Sequence, residues 1–281
     1  MNRPLLLLSA ILPQACATRA PETSATAAAD PRLDSLRTVL QLKLDSLRVA
    51  RGFTGATLGV ALPDGRTIAL ATGMADTAQR VPLTPRSRLL SGSVGKTYVA
   101  AVAMQLVAEG KLDLAAPVSR YLGHLPYWNR LPNASAMTVR QIMNHTSGLV
   151  RYEFDPRATK VLREQPMKEW TPAERLSYLL DTQAAFEAGQ GWDYSDTNYI
   201  VLAMIIERIT GRTYHEELER RLLQPLALRN TIPSDRPVLP GVANGYAGPK
   251  NELGGYDRSI VDGRMQVNPQ FEWTGGGIAS T

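Results

Sequence analysis

Ser93 and Lys96 stand three residues apart in the segment Ser93-Val94-Gly95-Lys96. At the start of a helix, this spacing brings the lysine amine beside the serine hydroxyl on one face. Free N–H groups and the helix dipole at such a start favour a developing negative charge. A serine hydroxyl needs a base to become a good nucleophile, and a lysine in a cleft can supply one. The pair therefore predicts acyl transfer, although the same spacing also occurs by chance in ordinary helices with a solvated lysine.

Two further polar clusters contain candidate site residues. Tyr194 and Asp196 precede an apolar helical segment, where a tyrosine hydroxyl and a polar side chain can reach a cleft. Asp196 also fits a simple helix N-cap. His145, in the segment 144–149, is interpreted as a structural loop histidine rather than a catalytic one. Because no metal-ligand spacing and no phosphate-binding glycine loop is present, neither a metal nor a cofactor is expected.

Four motifs in a fixed order strengthen the prediction made from Ser93 and Lys96. They are Ser93-x-x-Lys96 and the segments 144–149 (Asn-His-Thr-Ser-Gly-Leu), 192–199 (Trp-Asp-Tyr-Ser-Asp-Thr-Asn-Tyr) and 225–228 (Pro-Leu-Ala-Leu). In this order they resemble the β-lactamase-related family, which includes class C β-lactamases, D-alanyl-D-alanine carboxypeptidases and related esterases. The resemblance runs from about residue 33 to residue 281. Each motif alone is unspecific, and the ordered set is specific.

The resemblance implies an α+β fold in which helices flank an antiparallel sheet beside an all-helical lobe. It also implies that Ser93 forms an acyl-enzyme, that Lys96 and Tyr194 shuttle the proton, and that Asp196 binds substrate. The expected substrate is a β-lactam, an ester or a D-Ala-D-Ala-type amide, taken as a small molecule or from a peptidoglycan peptide. The alternative is a non-catalytic cell-wall or penicillin-binding protein, or an inactive fragment of the same fold.

Two positions depart from the family pattern. Asp196 stands where the family usually has asparagine, and an ionised carboxylate only accepts hydrogen bonds. A carboxylate beside Lys96 would favour the protonated amine and shift proton transfer toward Tyr194. The family also has a Lys/His-x-Gly motif well downstream of the Gly-Gly-x-x-Ser-Thr segment, which here occupies residues 276–281. We therefore expect a C-terminally truncated chain that lacks part of its sheet.

The elements that position these residues can be predicted from local patterns. Apolar residues at helical spacing predict a helix from Leu33 to Gly52, and a β-hairpin follows over residues 57–72 around the turn 63–65. A long apolar segment after Ser93 predicts a second helix that ends near Gly110, and residues 198–209 predict another that ends at Gly211. Strands separated from a block of helices indicate an α+β domain over residues 33–281.

The ends and the charge of the chain bear on where it acts. Residues 1–17 read as an export signal, followed by a flexible leader over residues 18–32, so we expect a periplasmic or secreted protein. The alternative is a lipid anchor on Cys16, the single cysteine. The net charge of +5 is spread along the chain, which argues against nucleic-acid binding. No later segment is apolar enough for a transmembrane helix. Oligomeric state is left open by the sequence.

Overall fold

The first helix confirms the sequence prediction and extends it. The structure is a computed structural model that describes residues 30–248 and 256–281. The predicted export signal, Cys16 and most of the leader lie outside these ranges. Helix α1 spans Pro31–Arg51, with the Asp30 side chain accepting from the Arg32 N–H and Gly52 ending it at φ 69°. Pro31 and Arg32 therefore belong to the helix rather than to the leader.

The predicted hairpin is confirmed as two antiparallel strands. Strand β1 spans Gly55–Ala61 and strand β2 spans Thr67–Asp76, with Gly55 opposite Gly73 and Ala61 opposite Thr67. The turn between them forms because the Asp64 carboxylate accepts from the Arg66 N–H. A short strand β3, Val81–Pro82, adds to β2. Within the described residues, β1 pairs with β2 alone.

A helical lobe holds most of the core. Helix α2 spans Lys96–Ala108 and follows a 3-10 turn at Gly92–Gly95. Helix α7 spans Asp196–Thr210, and the run of buried residues from Asp196 to Ala203 shows that other elements enclose it on all sides there. The other helices are α3 (Ser119–Leu122), α4 (Val139–Met143), α5 (Pro156–Glu164), α6 (Pro172–Ser177) and α8 (Tyr214–Leu218), the last continued by a π-helical turn at Glu219–Leu223. In the described ranges, no helix combines the length and the apolar character that crossing a membrane requires.

The prediction of one antiparallel sheet is corrected to three small ones. The first is β1-β2-β3, the second has the order β4-β9-β5, and the third has the order β6-β7-β8. The remaining strands are β4 (Leu89–Leu90), β5 (Ile232–Pro233), β6 (Gly245–Tyr246), β7 (Arg258–Val261), β8 (Arg264–Met265) and β9 (Ile278–Ser280). Strands of two to four residues make few ladder bonds, so they form separate patches rather than one extended sheet. Strand β9 lies between β4 and β5 and holds the preceding glycine segment beside the start of α2.

Candidate active site

The nucleophile candidate lies in an exposed turn directly before α2. Ser93 belongs to the 3-10 turn rather than to the α-helix itself, and its side chain is accessible to solvent. Glycine at position 92 allows the backbone to enter this turn at φ 51°. The N–H of Ser91 donates to the carbonyl of Ile278 at 2.9 Å, which ties the turn to β9. An exposed hydroxyl on a fixed turn can meet a substrate carbonyl from solvent.

Lys96 is buried and makes three polar contacts. Its Nζ lies 3.2 Å from Ser93 Oγ and 2.5 Å from Asp196 Oδ1, and it also donates to the Gly275 carbonyl. An ammonium has three protons to donate, so these contacts engage all of them. The predicted proximity of the serine and the lysine is thus present in the structure.

Two glycines let the segment before β9 pack against the site. A Cβ on Gly95 would collide with the Gly276 carbonyl oxygen, and a Cβ on Gly275 would lie 3.1 Å from the Asp196 carboxylate. Side chains at these positions would push the segment away from Ser93 and Lys96. The close approach is what allows the Gly275 carbonyl to reach the lysine amine.

Tyr194 covers the lysine. Lys96 Nζ lies 4.7 Å from the centre of the Tyr194 ring, an arrangement typical of a cation–π contact. Within the described residues, the Tyr194 hydroxyl is buried and has no hydrogen-bond partner. The ring face therefore contacts the lysine amine, whereas the hydroxyl makes no hydrogen bond to Ser93 or Lys96 in this arrangement.

His145 holds the tyrosine in place. Its ring centre lies 4.5 Å from that of Tyr194, and its Nδ1 accepts from the Ser195 N–H at 3.2 Å. The Asn198 amide nitrogen lies 3.2 Å from the same Nδ1. Burial lowers the pKa of His145, and the charge of Lys96 lowers it further, so the ring is neutral near pH 7. These contacts support the interpretation of His145 as a structural residue.

Asp196 contacts Lys96 and also lies on the wall of a cavity. Its Oδ1 pairs with Lys96, and the residue also lines a cavity of about 440 Å³ that adjoins the site. Its predicted role in substrate binding stays a prediction. The carboxylate contacts Lys96 at the position where the resemblance would place an asparagine.

Two carboxylates on the cavity wall were not found by sequence reasoning. Glu153 accepts from Arg151 Nε at 2.6 Å, whereas the Glu272 carboxylate has no hydrogen bond or ion pair with any described residue. Burial and the charge of Asp196 raise the pKa of Glu272 to about 7. Neither glutamate belongs to a motif, so only the tertiary fold could reveal them. Among the residues that the structure describes, no group of three or more His, Cys, Asp or Glu is placed to hold a metal ion.

The fold and the arrangement of serine, lysine and tyrosine match those of a known class of protein, which similarity to other proteins identifies. The family model described as Beta-lactamase matches residues 36–281, so the chain belongs to the β-lactamase family. Penicillin-binding protein 4* of Bacillus subtilis (strain 168) is 29% identical over 181 residues, which cover 62% of this chain and 37% of that protein. Esterase EstB of Burkholderia gladioli is 29% identical over 203 residues, which cover 70% of this chain and 51% of that protein.

A solved structure supports the same fold. The D-amino acid amidase of Ochrobactrum anthropi SV3, solved with L-phenylalanine amide, superposes with a TM-score of 0.73 and 28% sequence identity. The alignment covers 88% of this chain and 67% of that chain. The predicted β-lactamase and penicillin-binding fold is therefore supported by an independent structure. The chain spans only 37% to 51% of the length of the two curated relatives described above.

Proposed function

We propose that this chain is the catalytic region of an exported serine hydrolase that forms an acyl-enzyme on Ser93. The observation that carries the proposal is the 3.2 Å contact between Lys96 Nζ and Ser93 Oγ, made by a buried lysine whose position is set by Asp196 and the Gly275 carbonyl. A nucleophile in hydrogen-bond contact with a positioned partner is the arrangement that covalent catalysis requires.

The proposed reaction moves one proton out and one proton back. Ser93 Oγ attacks the carbonyl carbon, and its proton passes to Lys96, or to Tyr194 as the tyrosine hydroxyl releases its own proton to the leaving group. Because Lys96 already donates all three protons, it can accept one only after passing one to Asp196. The proton then goes to the leaving group as its bond to the carbonyl carbon breaks. Water attacks the acyl-enzyme in the second half and regenerates Ser93 by the reverse path.

The Ser93 backbone N–H is the proposed oxyanion donor within this turn. It stands at the first turn before α2, where N–H groups lack helical acceptors and the helix dipole favours negative charge. A preorganised donor of this kind typically contributes several kcal/mol to transition-state stabilisation. The resemblance to the β-lactamase family implies a second N–H donor on a strand, and that donor remains a prediction.

The proposed substrates are acyl compounds with an ester, amide or β-lactam carbonyl, taken as small molecules or from peptidoglycan peptides. The similar proteins support this range because their names include a penicillin-binding protein, an esterase and an amidase. A second candidate is a penicillin-binding protein that is acylated without turnover. The Lys96–Asp196 ion pair favours it, since a lysine held as an ammonium is a poor base for releasing the acyl group.

Hydrolysis assays with matched variants test the proposal. We expect the purified protein to hydrolyse at least one of a chromogenic cephalosporin, a p-nitrophenyl ester and an alanine p-nitroanilide. Ser93→Ala should abolish that activity, whereas Ser177→Ala, which removes an exposed hydroxyl at the end of α6, should retain it. Activity that survives in Ser93→Ala would exclude Ser93 as the nucleophile. A stoichiometric adduct without turnover would select the penicillin-binding candidate.

A further inference from the structure

A cavity of about 240 Å³ is lined by residues that the proposed reaction does not use. Its wall includes Trp170, Arg175 on α6 and His215 on α8. Each of the three has a nitrogen that is shielded from solvent and lacks a hydrogen-bond partner within the described residues, namely Trp170 Nε1, Arg175 Nη1 and His215 Nε2. Because buried polar groups in folded proteins are nearly always hydrogen-bonded, three such nitrogens around one cavity indicate a place where an acceptor can bind.

Arg175 brings a positive charge to this wall. The side chain is only 1% exposed, and its Nε and Nη2 donate to the backbone carbonyls of Trp170, Gln270 and Phe271. Its guanidinium carbon lies 5.3 Å from the centre of the Trp273 ring. Burial lowers the pKa of Arg175 to about 10, so the side chain is still a cation near pH 7. A buried cation in contact with neutral groups alone is stabilised by a negative charge at its free nitrogen.

Two carboxylates on the same wall have other partners. Glu207 Oε1 accepts from the Tyr214 N–H at 2.9 Å, and Asp235 Oδ1 lies 2.8 Å from Arg236 Nε. Burial raises the pKa of Glu207, which favours its neutral form. The part of the wall formed by Arg175 and Trp170 therefore presents two donors and a positive charge that no ion pair within the described ranges neutralises.

We propose that this cavity binds a small oxyanion, a carboxylate or phosphate group, through Arg175 Nη1 and Trp170 Nε1. A guanidinium and an indole N–H can only donate, so the matching ligand atom is an oxygen that accepts. Contacts between a guanidinium and a carboxylate or phosphate are strong because both partners are charged. His215, whose pKa is lowered by burial, can add a third donor when its neutral ring carries the proton on Nε2. Since the nitrogens are shielded in this arrangement, binding includes a small movement of the wall that exposes them.

NMR of the tryptophan side chains tests the site in the whole protein without any need for turnover. The chain has four tryptophans, and Trp170→Phe assigns the Trp170 indole N–H signal by its loss. Sodium acetate and sodium phosphate are titrated separately at pH 7, with sodium chloride holding the ionic strength constant. We expect at least one of them to shift the Trp170 signal saturably, with a Kd of about 10 mM or below. The signal of Trp192, which is 66% exposed, should not follow the same curve.

The two titrations also identify the ligand chemistry. A response to acetate alone assigns the site to carboxylates, a response to phosphate alone assigns it to phosphate groups, and a response to both supports a general oxyanion site. Arg175→Gln should abolish the saturable shift, whereas Arg163→Gln, which changes an exposed arginine on α5, should retain it. A Trp170 signal that neither salt shifts, or a shift that is unchanged in Arg175→Gln, would overturn the inference.

Thermal unfolding replaces the arginine variant if Arg175→Gln does not fold. Saturation with the anion that shifts the Trp170 signal should raise Tm by about 2–4 °C relative to chloride at equal ionic strength. The rise should be smaller in Trp170→Phe, which lacks the indole donor, than in Trp192→Phe, which changes a tryptophan outside this wall. Equal rises in the two variants would contradict binding at Trp170.

Discussion

Lys96 Nζ lies 2.5 Å from Asp196 Oδ1, and both side chains are buried between α2, α7 and the segment before β9. A buried ammonium and carboxylate stabilise each other only in close contact, so this pair constrains the geometry of the site. It also places a charge where the family usually has a neutral amide. The charges and the protons available for transfer within the site therefore depend on the residue at position 196.

Replacement of Asp196 by asparagine should slow acylation. The amide oxygen can still accept a hydrogen bond from Lys96, but it cannot take the proton that Lys96 must pass on before it acts as the base. We expect the acylation rate to fall by about a hundredfold. Stopped-flow acylation with a chromogenic ester measures this, and an unchanged rate would show that Asp196 does not take the Lys96 proton.

Gly95 should be essential to the arrangement of the site. A methyl group at this buried position would collide with the Gly276 carbonyl and push the segment before β9 away from Ser93. We expect Gly95→Ala to lower kcat/KM about a hundredfold, because a displacement of about 1 Å can cost that much. Gly59→Ala is the control, since nothing lies within 4 Å of a Cβ there. Equal activities of the two variants would disprove the packing argument.

His145 should affect the acylation rate without determining how that rate depends on pH. The residue sits at φ 63°, which asparagine tolerates, so His145→Asn removes the ring with little added backbone strain. Loss of the ring contact with Tyr194 and of the Nδ1 acceptor should lower the acylation rate by about tenfold. The shape of the pH profile should stay the same. Loss of the acid limb together with a drop of a thousandfold or more would instead identify His145 as a general base.

Glu272 should make the protein less stable as the pH rises through neutrality. Its pKa is raised from 4.5 to about 7 by burial and by Asp196, so between these values the folded state binds more protons than the unfolded state. The free energy of unfolding therefore falls as pH rises across this window, by roughly 2–3 kcal/mol, and is unaffected by Glu272 below it. Urea denaturation at pH 5 and pH 8 should show a smaller fall in Glu272→Gln than in the wild type or in Glu164→Gln, which changes an exposed glutamate on α5. An equal fall in all three would refute the shift.

Local signals explain why some elements were predictable. Helix α1 ends at Gly52 because a left-handed residue there closes the last turn, and the hairpin turn forms from Asp64 and Gly65. These are interactions within a few residues, which a sequence displays directly. The start of α2 was predicted less accurately. Ser93 occupies a 3-10 turn, and the geometry of that turn depends on the contact between Ser91 and the distant Ile278.

Long-range contacts explain what the sequence did not show. The Gly275 carbonyl meets Lys96 across a separation of 179 residues, and Glu272 reaches the same region only because its turn packs beside α7. The strands after Ile232 are too short to show an alternating pattern, so their sheets were not anticipated. In contrast, the motif residues Ser93, Lys96, Tyr194 and Asp196 lie near one another in the structure, because each sits at or beside the start of α2 or α7.

Mass spectrometry of the acylated protein shows directly whether Ser93 is the nucleophile. The protein is incubated with a penicillin and with a p-nitrophenyl ester, and the intact mass and the modified peptide are determined. We predict the addition of one acyl group, mapped to Ser93 rather than to Ser91, absent in Ser93→Ala and formed far more slowly in Lys96→Ala. A folded protein that gains no adduct, or an adduct on another residue that persists in Ser93→Ala, would exclude Ser93 as the nucleophile.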